Sequence, residues 1–254
     1  VTTRKLIQIT DTHLFEDPEG RQKGVNTRRS LAAVVAHAAA THPDADAVLL
    51  TGDLSQDETA ASYELLLELI EPLRGAPVHA IPGNHDDAGH MRRILEQEGI
   101  AVLRDLQLDN WRVALLNSQV PGRVHGELGA DQIAALSRSL GSSEYIIVAL
   151  HHPPLSIDSA WLDASRCLDG QALLEALADS PVRAVVCGHI HQQFETRADG
   201  LPVMATPSTC VQFKPGMEQF ATDDEAAPGY RVFELGADGG WSSSVVRVEA
   251  ARSA

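Results

Sequence analysis

The sequence predicts an α/β fold in a single domain spanning residues 1–254. Apolar runs of strand length alternate with helical stretches in β-α-β-α-β order, which implies right-handed crossovers and strand ends collected on one edge of a sheet. Five of these runs end in polar residues able to bind a metal: Asp11-Thr-His13, Gly52-Asp53, Gly83-Asn84-His85-Asp86, His151-His152 and Gly188-His189-Ile190-His191. With 254 residues, 44% of them hydrophobic, the chain can bury a sizeable core.

Residues 4–10 read as a short buried strand, after which Asp11 and His13, two apart in extended chain, face one side. Residues 14–24 are polar, carry Pro18 and Gly20, and read as a loop over the strand ends. Asn26 or Thr27 caps a helix through Leu31, Val34 and Val35 to about Ala40, closed by Pro43-Asp44. The run 47–51 is the next strand and delivers Asp53, the residue around which the others are arranged. Asp57 or Thr59 opens a second helix with apolar positions Tyr63, Leu66, Leu67 and Ile70, ended by Pro72. Residues 77–81 form the third strand and feed the turn 82–86. A helix through Met91, Ile94 and Leu95 follows, then strands near 100–103 and 111–116.

Residues 131–140 read as a helix and 145–150 as a buried strand delivering His151-His152-Pro153-Pro154, where the prolines stop the strand and stiffen its exit. Residues 155–168, with Trp161, read as irregular and close to the site. Residues 173–178 are helical, and 182–187 form the strand that delivers 188–191. Beyond it, 194–197, 201–205, 230–235 and 244–248 read as hairpin strands separated by Asp-Gly turns at 199–200 and 238–239. The stretch 207–228 is long and turn-rich, a length more often functional than idle, and is expected near the substrate.

The formal net charge of -15 argues against broad binding to nucleic acid or anionic membrane, because a phosphate backbone meets repulsion instead of releasing counterions to Lys and Arg. A small anion is still attracted by a local metal centre. Cys167, Cys187 and Cys210 are odd in number and lack CxxC spacing, so neither a disulfide framework nor a thiolate zinc site is indicated, and a reducing cytoplasm is the expected location. No apolar run approaches a membrane span, no signal-peptide pattern follows Val1, and the absent initiator Met reads as a processed or trimmed start. The last strands and the tail 250–254 leave room for a homodimer without demanding one.

Taken in order along nearly the whole chain, Asp11-x-His13, Gly52-Asp53, Gly83-Asn84-His85-Asp86, His151 and Gly188-His189-x-His191 resemble the calcineurin-like metallophosphoesterase family, whose pattern is D-x-H, G-D, G-N-H-(D/E), H and G-H-x-H. The resemblance implies a four-layer α/β/β/α sandwich with two metals at the strand ends. By it, Asp11, His13 and His191 hold the first metal, Asn84, His151 and His189 the second, and Asp53 bridges the two. Such a nitrogen and oxygen shell suits two divalent or mixed-valence transition ions (Fe, Mn, Zn or Co) better than Mg or Ca. The resemblance further implies a metal-bridging hydroxide as nucleophile, with Asn84 and His85 at the substrate. His85, not a ligand in the family, is placed to donate to a phosphate oxygen or the leaving alkoxide, and Asp86 to orient it.

Closer features are Thr10-Asp-Thr-His-Leu-Phe, Gly24-Val-Asn-Thr, Leu150-His-His-Pro-Pro with Trp161 after it, and Pro207-Ser-Thr-Cys-Val-Gln-Phe213 with Pro228-Gly-Tyr-Arg231. These look like the bacterial 3′,5′-cyclic AMP phosphodiesterases of that superfamily, and so imply a small-molecule cyclic nucleotide as partner and 5′-AMP as product. A phosphodiesterase acting on another small diester, such as a glycerophosphodiester, would use the same metal site, and a non-catalytic metal-binding protein would keep it as a vestige. Asn117 is a departure, since many relatives carry Asp in that turn.

The remaining candidates weigh differently. His152 reads as a supporting residue, and His37, His42, His79, His90 and His125 as surface or core histidines. Trp161 and Phe213 either close a small core or stack on a base. Cys167 and Cys210 read as small buried apolar residues, and Asp223-Asp224-Glu225 as a solvated loop.

Overall fold

The computed structural model describes residues 3–141 and 145–251. In chain order the elements begin with β1 (Thr3–Ile9), the ribbon β2 (Arg21–Gln22) and β3 (Val25–Asn26), α1 (Thr27–Thr41), β4 (Ala47–Thr51), α2 (Ala60–Ile70) and β5 (Val78–Ile81). Next come α3 (Ala88–Gln97), β6 (Ala101–Val102), β7 (Leu106–Leu108), β8 (Trp111–Leu115), α4 (Ala130–Ser139) and β9 (Tyr145–Ala149). The last part comprises α5 (Ala160–Asp163), α6 (Gly170–Ala176), β10 (Val182–Cys187), β11 (Phe194–Ala198), β12 (Leu201–Ala205), β13 (Gly229–Gly236) and β14 (Trp241–Arg247). The helix starts follow capping chemistry: Asn26 accepts from the Arg29 N–H at 2.9 Å and Thr59 from the Ser62 N–H at 3.2 Å.

Two six-stranded sheets result, ordered β14-β13-β1-β4-β5-β6 and β11-β12-β10-β9-β8-β7. In the first, β1, β4, β5 and β6 are parallel neighbours; in the second, β8, β9, β10 and β12 are. Three cores separate four layers. Leu31, Val34, Tyr63, Leu66, Met91 and Leu95 of α1–α3 pack on Ile7, Ile9, Val48 and Leu50 of the first sheet. Leu136 of α4 and Leu173 of α6 pack on Ile146, Val148 and Val185 of the second. Between the sheets lie Leu6, Leu49, Trp111, Ile147, Val186 and Phe233. The order is therefore α/β/β/α, and it explains why the central strands read as unbroken apolar runs: both faces of each are covered. Among the described residues, no helix is long and apolar enough to cross a membrane.

The predicted core elements form, with local differences. The loop expected over 14–24 contains the ribbon strand β2, the irregular stretch 155–168 holds the short helix α5, and β7 adds an unexpected antiparallel edge beside β8. The two terminal hairpins pair as read, yet they part company: β11–β12 extends the second sheet and β13–β14 the first. Of the tail 250–254, residues 252–254 lie outside the described residues.

Candidate metal centre

Strands β1, β4, β5, β9 and β10 each stop two or three residues before a candidate ligand, and the chain then turns sharply. Asp11, His13, Asp53, His189 and His191 all have left-handed backbone, with φ of 53°, 46°, 51°, 69° and 49°. For a residue with a side chain this costs about 1–2 kcal/mol, and such strain gathers at functional sites. Asp11 and His13 are thus not aligned by strand alternation, as their spacing suggests. Instead, their N–H groups bond to the carbonyls of Gly52 and Asp53, each at 2.9 Å, so the first loop is laid along the second. Two glycines permit the close approach: a Cβ on Gly83 would stand 2.2 Å from Asp53 Oδ1, and one on Gly188 would stand 2.1 Å from Thr10 Oγ1.

The side chains gather in overlapping groups: Asp11, His13 and His191; Asp11, Asp53 and His151; His13, Asp53 and His85; and His151, His152 and His189. Within each group the donor atoms lie within 4.8 Å of one another. His13 Nε2 is 3.6 Å from Asp53 Oδ2, and His191 Nε2 is 3.5 Å from Asp11 Oδ1. Three imidazoles are held from behind through Nδ1: His13 by Gln56 Oε1 at 2.7 Å, His151 by the Thr51 carbonyl at 2.8 Å, and His191 by the Val211 carbonyl at 2.8 Å. Each donates there, so each, once neutral, turns an Nε2 lone pair inward. Asp11 accepts the His189 N–H, and Asp53 Oδ1 accepts the His85 N–H at 2.8 Å.

This arrangement fits a pair of cations. Among the described residues, Asn84 Oδ1, His151 Nε2 and His189 Nδ1 are buried without a hydrogen-bond partner, a costly state that a metal ion removes. His13 Nε2 and His191 Nε2, both lone-pair nitrogens by the logic above, face each other at 3.0 Å, where a cation between or beside them replaces repulsion with attraction. Protonation states agree for all but His151, which, against burial, Asp53 holds up to about 9, so that a cation must displace a proton from that ring. Burial, against the pull of Asp53, holds His13 down to about 4, and burial with His152 and His151 nearby holds His189 well below the ordinary histidine range. Burial pushes the Asp53 carboxyl up, but His151 at 3.4 Å, with His13 and His85, outweighs it and keeps the group ionised. Neutral imidazoles and ionised carboxylates are the forms that bind metal.

Other residues take different places from those expected. Asp86 does not touch the His85 ring; its carboxylate accepts the N–H groups of Leu54, Ser55 and Gly83 and the Tyr63 hydroxyl, and so ties the Asp53 loop to the Asn84 loop. The His85 ring meets Gln56 instead, with Gln56 Nε2 3.2 Å from His85 Nδ1. His152 has both nitrogens engaged, Nδ1 with Ser118 Oγ at 2.8 Å and Nε2 with the Val124 carbonyl at 3.0 Å, which suits a supporting residue. Asn117 accepts the Gln119 N–H in a turn at 3.0 Å. The described cysteines are free and buried. Sequence reasoning missed Gln56, Ser165 (3.0 Å from His189 Nε2) and Ser208, which donates to the Asp11 carbonyl at 2.7 Å; a Gln three residues after Asp53 carries no motif signal.

A cleft of about 130 Å³ opens onto the cluster, lined by His13, Asp53, Asn84 and His85 and by the aromatic rings of Trp161 and Phe213. Phe213 meets Trp161 edge-on at 5.1 Å and Phe220 at 5.5 Å, and Phe220 is 47% exposed at the rim. The stretch 207–228 is not a free surface loop in its first part: Ser208, Thr209, Cys210, Val211 and Gln212 are buried beneath the cluster.

The sequence profile described as calcineurin-like phosphoesterase matches residues 4–193. The chain is 42% identical over 248 residues, 96% of its length and 90% of the relative's, to the 3′,5′-cyclic adenosine monophosphate phosphodiesterase CpdA of Vibrio vulnificus (strain CMCP6). It is 40% identical over 248 residues, with the same coverage of 96% and 90%, to the protein of that name from Escherichia coli (strain K12). Among solved structures, a dimetal phosphatase from Danio rerio superposes with a TM-score of 0.67 at 15% identity, covering 97% of this chain and 99% of that one. The purple acid phosphatase PPD1 of yellow lupin superposes with a TM-score of 0.64 at 12% identity, covering 100% of this chain and 55% of that one. These two likenesses concern the fold.

Proposed function

This chain belongs to the calcineurin-like phosphoesterase family, and we propose that it is a metal-dependent phosphodiesterase hydrolysing 3′,5′-cyclic AMP to 5′-AMP. The observation that carries the reading is the convergence of five loops on one buried cluster in which, among the described residues, Asn84 Oδ1, His151 Nε2 and His189 Nδ1 lack partners. The substrate is supported by relatives named for that activity at 40–42% identity along almost the whole chain.

Asp11, His13 and His191 would hold one ion, Asn84, His151 and His189 a second, with Asp53 between them. When bound, such a pair supplies Lewis acidity toward phosphate oxygens and acidifies water at neutral pH. The chain's own groups do the rest. Gln56, Thr51 and Val211 fix the imidazole planes, and Asp86 fixes the two loops. Asn84 and His85 meet the substrate where the cleft reaches the cluster, His85 donating a proton or hydrogen bond to a phosphate oxygen or to the leaving 3′ oxygen. The apolar wall of Trp161 and Phe213 excludes water from one side and offers a face to the base. The 207–228 stretch, part of one domain over 1–254, supplies Phe213 to that wall, with Phe220 packed edge-on against it. Fe, Mn, Zn or Co each suits that nitrogen and oxygen shell. The free thiols suit a reducing cytoplasm.

The test is hydrolysis of cyclic AMP by the manganese-loaded chain, against cyclic GMP and bis(p-nitrophenyl) phosphate, with and without chelator. Chelator-sensitive release of 5′-AMP is expected. Turnover of the synthetic diester alone would retain the metal centre and reject the substrate.

A further inference from the structure

We infer that Gln56 is a positioning residue that makes His85 a hydrogen-bond donor and prevents it from serving as a metal ligand. The inference rests on the proposed metal centre, in which His13 binds through Nε2.

Gln56 lies three residues beyond Asp53, its backbone N–H anchored on the Leu14 carbonyl at 2.7 Å. Its side-chain amide spans two rings that face the same cleft: Oε1 is 2.7 Å from His13 Nδ1 and Nε2 is 3.2 Å from His85 Nδ1. Gln22 Nε2 also donates to Oε1, at 2.9 Å. Chemistry fixes which end of the amide faces which ring. A His13 that gives its Nε2 lone pair to a cation carries its proton on Nδ1, and only the carbonyl oxygen of Gln56 can accept it. The amide NH2 is then committed to the other ring, and a nitrogen that receives an N–H must present a lone pair. Neutral His85 therefore carries its proton on Nε2.

That assignment decides between two roles. His85 shares a group with His13 and Asp53 whose donor atoms lie within 4.8 Å, so position alone would let it bind metal. A ring that used Nε2 as ligand would have to carry its proton on Nδ1, pointing at the NH2 of Gln56, two donors 3.2 Å apart. Gln56 thus transmits the binding of metal at His13 into the tautomer of His85. The proton left on Nε2, which has no partner among the described residues, is available to a phosphate oxygen or leaving alkoxide. A carboxylate at this position would accept from both rings and select the opposite tautomer.

The test uses the full chain with nitrogen-labelled histidine, loaded with zinc, and reads the tautomer of each ring by long-range proton–nitrogen NMR; zinc uptake is measured by calorimetry on the same sample. The expected result is a protonated Nε2 and unprotonated Nδ1 at His85 in the native chain, and a proton appearing on His85 Nδ1 in Gln56→Glu. Loading with cadmium should give nitrogen–cadmium coupling at His13 and none at His85. Zinc bound with the His85 proton on Nδ1, or cadmium coupling at His85, overturns the inference alone. No zinc uptake by the native chain overturns the metal centre and the inference together. The native-chain readings do not depend on the variant's folding.

Discussion

The ring of Phe213 lies flat on the ring of His191, with centroids 4.1 Å apart and planes 7° from parallel. The same imidazole donates in its own plane to the Val211 carbonyl, so two residues of one buried segment fix both its tilt and its rotation. Support of this kind is worth about 10- to 100-fold in metal affinity at known centres. Phe213→Leu, which keeps apolar volume but loses the flat face, is expected to weaken zinc binding by about tenfold. Calorimetric titration checks it; unchanged zinc affinity would confine Phe213 to contact with the substrate.

Metal removal should destabilise the fold. Asp11 and Asp53 are buried beside inward lone pairs, and Asn84, His151 and His189 each keep a buried atom without a partner among the described residues. A ligand that binds only the folded state at a hundred times its dissociation constant adds about 2.7 kcal/mol. Thermal unfolding with excess manganese or zinc is expected to occur several degrees above that of chelated protein. Equal midpoints would mean the cluster is satisfied without ions.

Much of this was legible in the sequence, and the limits are physical. Strands β1, β4, β5, β9 and β10 were readable because each is covered on both faces and ends abruptly at a polar residue. The five motifs then named the side chains that meet. Pairing of β13 with β1, across more than two hundred residues, left no local trace, since a hairpin strand looks alike on either sheet. Asp86 was misjudged for a related reason: a carboxylate beside His85 in sequence is turned away by four donors supplied from Leu54, Ser55, Gly83 and Tyr63. Gln56 was invisible because an amide has meaning only through the two rings it joins.

Acid sensitivity should report on His152. Burial, then the neighbouring His151, holds it down to about 3, and both of its nitrogens are engaged as a neutral ring. The folded value lies below the unfolded one, so the unfolded chain takes up the proton first. The stability is fully present above about pH 6.5 and falls as pH drops toward the folded value, with a slope of up to about 1.4 kcal/mol per pH unit for this one proton. Urea unfolding of chelated native protein and of His152→Gln between pH 7 and pH 4 checks it. The native curve should be steeper by about one proton, and parallel curves would show that His152 titrates normally.

Arg231 ties the two sheets together. It is fully buried, donating to Glu195 Oε1 at 2.8 Å on β11, to Ser243 Oγ at 2.8 Å on β14 and to the Ala205 carbonyl at 3.1 Å. Arg231→Ala leaves a cavity and strips that carbonyl, and is expected to cost about 3–5 kcal/mol in unfolding free energy. Glu195 is 52% exposed on its side chain, so Glu195→Gln should cost under about 1 kcal/mol. Comparable losses in urea melts of the two variants would place the energy in the ion pair instead.

The aromatic wall of the cleft should select the base. Trp161 meets Phe213 at 5.1 Å and Phe220 at 5.2 Å, both edge-on, and lines the cleft that reaches His85 and Asn84. Phe213 gives one face to His191 and Lys23 covers one face of Phe220 at 4.9 Å, which leaves Trp161, in the cleft lining, as the ring offered to another aromatic group. A stacked base is worth about 1–3 kcal/mol to an aromatic side chain. Trp161→Ala is therefore expected to raise KM for cyclic AMP about tenfold. Its kcat should change little, because among the described residues the Trp161 ring packs on Phe213 and Phe220 and on no histidine of the site. Metal content should also be retained, since Phe213 keeps its stack on His191. Steady-state kinetics on cyclic AMP beside bis(p-nitrophenyl) phosphate separate the causes. A rise in KM for the nucleotide alone is the signature of base contact, whereas an equal loss on both substrates would make Trp161 a packing residue that holds the cleft open.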